Sequence, residues 1–203
     1  MEKRIAKAIS YLFHPLVMPF LGFLVISHSG TYAASIDKGL NNYLGFMIFG
    51  ITLVLPVTFI PLYFYTRLIK SVGMENRNDR VIPFFITNVF YFIAFVMVHK
   101  TPVSRIYSNF MLAACLSVFL VFVISVFWKI SIHLAGLGGI VGLIICLSMM
   151  LDADLILLLA VSVFLAGITA YARLRLNAHT PAQVYAGFML GLITMLGVMM
   201  LHG

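Results

Sequence analysis

Seven apolar runs decide what this chain can fold into. They lie at about 11–28, 42–66, 82–99, 106–127, 132–150, 153–171 and 183–201, and a helix needs about 20 apolar residues to cross the hydrocarbon core of a bilayer. The chain is 63% hydrophobic and 9% charged, against about half and a quarter in a soluble domain. That surplus of apolar surface needs lipid around it. The expectation is an all-α integral membrane protein, a compact bundle of six to seven transmembrane helices with residues 1–203 as a single domain. His14, Pro15 and Pro19 interrupt the first run. Pro56 and Pro61 predict a kink in the second.

A net charge of +7 would raise nucleic acid as a partner for a soluble protein. Here the basic residues sit in loops between apolar runs, which suits lipid headgroups. No basic-aromatic interleaving suited to stacking bases is present, so nucleic acid is not expected. Cys115 and Cys146 lie inside apolar runs and read as small buried hydrophobes, not as a disulfide or a metal site. The basic N-terminus precedes a run without a small-residue cleavage pattern, so no cleavable signal is expected.

Seven spans sort the loops onto two sides. One side takes the N-terminus, the 67–81 loop, the 128–132 turn and the 172–182 loop, with 10 of the 13 Lys and Arg residues. The other keeps Lys38, Lys100 and Arg105. The excess of positive charge in short loops marks the cytoplasmic side. Setting aside Lys70, Arg77, Arg80 and Arg173 as ligand-binding candidates leaves 6 against 3, the same direction with less weight.

Three polar clusters fall on the basic side. The densest is Arg173-Leu-Arg-Leu-Asn-Ala-His179-Thr-Pro-Ala-Gln183. Cations set between greasy runs must offset their desolvation, and an anionic ligand does that. Thr180-Pro-Ala-Gln183 has the form of a capping box, with Thr180 as N-cap and Pro181 at the first helical position. His179 then precedes a helix N-terminus, where unpaired N–H groups and the dipole favour phosphate. The same field favours a neutral, nucleophilic imidazole. The second cluster runs from Lys70 through Arg77 and Arg80 to Pro83, and the third is Lys129-Ile-Ser131-Ile-His133. Clusters converging on one membrane face make a stronger signal than any one of them.

These residues resemble the type-2 phosphatidic acid phosphatase superfamily, membrane enzymes that hydrolyse lipid phosphates without a metal or other cofactor. Lys70 and Arg77 keep the spacing of the family's first motif, Ser131 and His133 that of its second, and Arg173, His179 and Gln183 that of its third. The similarity covers residues 67–191. It implies a phosphatase-like core there and a phospholipid or isoprenoid phosphate as substrate, including phosphatidic acid, a polyprenyl diphosphate or a lipid of the lipid A type. It also implies a place in the bacterial inner membrane, where family members commonly work on the outer face although the charge count here points inward. By the same resemblance His179 attacks phosphorus, His133 serves as general acid, and Lys70, Arg77, Arg173 and Ser131 hold the phosphoryl oxygens. Arg80 and Arg175 are further ligand candidates. The chain departs from the motifs at Asn78, Ile130, Ile132 and Ala172, and Gln183 replaces the Asp that orients the nucleophilic histidine. Glu75 or Asp79 is a candidate for a displaced acidic partner.

Plainer readings stand beside these. His179 alone is an interfacial histidine beside a helix cap, Gln183 a capping residue, and Lys70, Arg77 and Arg80 topology signals. The glycines at 136–142 read as helix packing. His14, His28, His99 and His202 have no constellation and read as structural. The missing Asp motivates a second function, a weak or inactive phosphatase-fold protein that binds anionic lipid or supports a membrane complex. A small transporter ranks last, because no internal repeat is visible.

Overall fold

The computed structural model describes residues 2–66 and 78–202, with the side chains of residues 64, 78–81 and 202 outside that description. It is an all-α membrane bundle, with seven helical stretches long and apolar enough to cross a bilayer. No strand occurs among the described residues.

The first span is not one helix. α1 (Glu2–Leu12) and α2 (Met18–Ser27) flank a break at His14 and a 3₁₀ turn at Pro15–Val17. Two prolines cause it, since each removes a backbone donor and Pro15 also bars the preceding residue from helical geometry. His14 is accordingly extended, at φ −63° and ψ 136°. α1 packs along α9 and buries Ala6 and Ser10. The second span is interrupted as its prolines predict. α3 (Lys38–Phe49) passes through a π-helical stretch at Gly50–Val54 into the short α4 (Leu55–Thr58) and α5 (Ile60–Tyr65).

The other five spans are continuous: α6 (Asn78–His99), α7 (Arg105–Phe127), α8 (Ile132–Leu151), α9 (Ile156–Arg175) and α10 (Pro181–His202). α8 and α10 form the tightest crossing. A Cβ on Gly191 would overlap the carbonyl oxygen of Ala135, and one on Gly138 would overlap that of Phe188. The glycines of α8 are therefore packing residues. Lipid offers apolar chains no penalty, so close backbone approach by small residues supplies the attraction instead. The largest core cluster lies in the half of the bundle away from the polar clusters, with Phe23, Leu44, Val98, Tyr107, Leu147 and Met199 buried in it. Cys115 and Cys146 are buried and unbridged.

Candidate active site

Two helix boundaries build the site. α9 extends to Arg175, so Arg173 stands in a last helical turn and not in a loop. The helix stops at Asn177, which takes the left-handed conformation at φ 51°. The Asn177 N–H donates to the Leu174 carbonyl at 2.9 Å and the Ala178 N–H to that of Arg173 at 3.1 Å, the paired bonds of a Schellman ending. Three residues later Thr180 caps α10. The Thr180 N–H donates to Gln183 Oε1 at 3.1 Å and the Gln183 N–H to Thr180 Oγ1 at 3.5 Å, which closes the capping box. His179 is held between these two signals.

The tautomer of His179 follows from its partners. Its Nδ1 lies 3.3 Å from the Lys129 carbonyl and 3.3 Å from Gln183 Oε1. The Thr180 N–H fixes Gln183 with its oxygen forward, so both partners accept and Nδ1 carries the hydrogen. A neutral ring then holds its lone pair on Nε2. Gln183 thus caps the helix and orients the histidine with one oxygen, and brings no charge.

His133 is fixed the opposite way round. Its Nε2–H donates to the Ser10 carbonyl at 3.2 Å, and its buried Nδ1 has no partner. The lone pair therefore sits on Nδ1. His133 opens α8 directly after the extended segment 128–131, which is tied to α10 by the Ser131 N–H donating to the Gln183 carbonyl at 3.2 Å.

His14, His133, Arg173 and His179 line one cavity of about 150 Å³. A single water needs roughly 10–15 Å³ of such space, so a phosphate-sized anion fits. The remaining wall is mostly apolar and includes Pro56, Ile60, Tyr63, Pro83 and Phe84. Arg173 acts electrostatically on both His14 and His133. No carboxylate lines the cavity among the described residues. Nor do any three His, Cys, Asp or Glu side chains among them gather closely enough to hold a metal ion.

Of the sequence candidates, His179, His133, Arg173 and Gln183 come together. Ser131 does not. It is fully buried against Gly187 and is not part of the cavity wall. The extended backbone at Ser131, φ −87° and ψ 103°, turns it toward α10 while His133 faces the cavity. Ser131→Ala should therefore leave turnover within about threefold of wild type, because no bond to ligand or protein is lost. Arg175 also faces elsewhere. Residues two apart on a helix point roughly 200° apart, and Arg175 Nε pairs with Glu2 at 3.0 Å on the exposed surface. Lys70, Glu75 and Arg77 lie outside the described residues, as do the side chains of Asp79 and Arg80. Pro83, in the second turn of the same helix as Arg80, reaches the cavity wall.

His14 is the residue that sequence reasoning set aside. Its signal was present, a polar ring breaking an apolar run beside two prolines, but nothing in the order of residues tied it to His133. The fold and cavity define an all-α membrane protein with a mostly apolar chamber whose wall also carries three histidines and an arginine. No family model, characterised protein or solved structure matches the chain.

Proposed function

We propose that this protein is a metal-independent lipid phosphate or diphosphate phosphatase working through a phosphohistidine. The observation that carries the reading is the pair of complementary histidines on one cavity wall beside Arg173. His179 carries its lone pair at Nε2, and His133 carries its own at a buried, unpartnered Nδ1. Such a pair divides the labour of phosphoryl transfer. Nε2 of His179 attacks phosphorus, the ester or anhydride P–O bond breaks, and His133, which takes up a proton at Nδ1 when the anionic substrate binds, passes that proton to the departing oxygen. His133 is left as the neutral tautomer that the Ser10 carbonyl favours. It then takes a proton from the water that cleaves the P–N bond and releases phosphate. Arg173 balances charge on the equatorial oxygens. Lys70 and Arg77 are assigned the same part from their motif spacing alone, and Arg80 joins them as a further ligand candidate. The apolar wall around the cavity suits a substrate with a lipid tail, and a bacterial inner membrane is the proposed location.

Gln183 predicts a slow enzyme. The phosphoimidazole formed on His179 gains positive character, and an amide stabilises that less than a carboxylate does. Gln183→Glu keeps the reach of the side chain and the bond to the Thr180 N–H, and adds the charge. Turnover of phosphatidic acid or a polyprenyl diphosphate by the purified variant should rise on the order of 10²-fold. No phosphate release by either wild type or Gln183→Glu across that lipid set, with anionic lipid still co-purifying, would instead identify an anionic-lipid binder.

A further inference from the structure

We propose that His14 is a third histidine of the site and donates a hydrogen bond from Nε2 to an oxygen of the bound phosphoryl group. The inference rests on the phosphatase reading and adds a residue that lies outside its motifs.

His14 occupies the break in the first span, where an ordinary transmembrane helix would place an apolar side chain. Its Nδ1 accepts from the Leu16 N–H at 3.4 Å and caps the 3₁₀ turn. A neutral ring that accepts at Nδ1 carries its hydrogen on Nε2. No protein group among the described residues accepts that hydrogen, and the ring lines the cavity. The His133 ring stands edge-on to it at 5.8 Å and 78°, and His133 is 91% buried with an unpartnered Nδ1. One wall of the cavity thus carries the His14 donor beside the His133 ring, and Arg173 lines the same chamber. An oxyanion in the chamber can take the His14 hydrogen. The arrangement is built into the backbone. Ser10, whose carbonyl fixes His133, lies four residues before His14, so one short segment orients both rings.

Two substitutions separate this role from a structural one. His14→Asn puts an oxygen where Nδ1 caps the turn, and Asn caps well, but it is too short to reach the cavity. His14→Gln extends an amide N–H to the position of Nε2 and caps less well. Orthovanadate affinity by calorimetry and kcat/KM for phosphate release would be measured on the full chain in detergent. His14→Asn should lose roughly 10- to 100-fold in both, the worth of one hydrogen bond to an anion. His14→Gln should stay within about fivefold of wild type, with an unchanged pH profile, because a neutral donor replaces a neutral donor. A structural role would reverse that order. Wild-type behaviour in His14→Asn overturns the inference and leaves the phosphatase reading standing. A wild-type protein that neither binds orthovanadate nor releases phosphate overturns both.

Discussion

His179→Asn should abolish phosphate release, with a loss on the order of 10³-fold or more in kcat. The substitution is chosen for what it keeps. The Asn amide can donate to the Lys129 carbonyl and Gln183 Oε1, which His179 Nδ1 engages at 3.3 Å each. The start of α10 should therefore hold its shape, and melting in detergent should stay close to wild type. What disappears is the Nε2 lone pair. Rapid quenching of the wild-type protein with labelled substrate should capture label on His179, stable in base and lost in acid. Full turnover by His179→Asn would sink the covalent mechanism, whatever the role of the other histidines.

The second large effect concerns the scaffold. Gly191→Leu should destroy the fold, read as loss of monodisperse protein in detergent, and Gly191→Ala should already damage it. An added Cβ meets the Ala135 carbonyl and the Gly139 backbone nitrogen, groups that cannot rotate aside. Overpacking of this kind costs about 1–3 kcal/mol in soluble cores, and more where backbone must shift. Gly167 and Gly197 supply the control. Nothing lies within 4 Å of a Cβ at either, so Gly→Ala there should be neutral or stabilising by up to about 1 kcal/mol. The crossing also positions the two histidines, because His133 lies in the first turn of α8 and His179 immediately precedes the Thr180 cap of α10. A milder variant that stays folded but spreads the two helices should lose activity before it loses its helices.

The elements were legible because membrane spans are written locally. Each apolar run became a helical stretch, Pro56 and Pro61 marked a broken one, and Thr180 through Gln183 formed the expected cap. Boundaries moved where helix geometry continues past the apolar stretch. α9 carries Arg173 and Arg175 as basic residues of its last turn, which its dipole favours. α1 begins at Glu2 because an amphipathic helix needs only one apolar face, which it lays on α9.

The site divides along the same line. His179, His133, Arg173 and Gln183 could be paired from spacing because they sit at helix ends, and short hairpins return such ends to one membrane face. Ser131 could not be placed, since the facing of a residue in an extended segment depends on what packs over it, here Gly187. His14 could not be enlisted, because it meets His133 across 118 intervening positions and only the packing of the Pro15–Val17 turn and α2 on α8 closes that distance. By itself the sequence determined a helical bundle of six to seven spans and the capped histidine at α10, both consequences of hydrophobicity and short-range backbone chemistry. The tertiary structure alone decided which polar groups share a chamber and which nitrogen of each ring holds the hydrogen, because those depend on partners that meet only once the helices are packed.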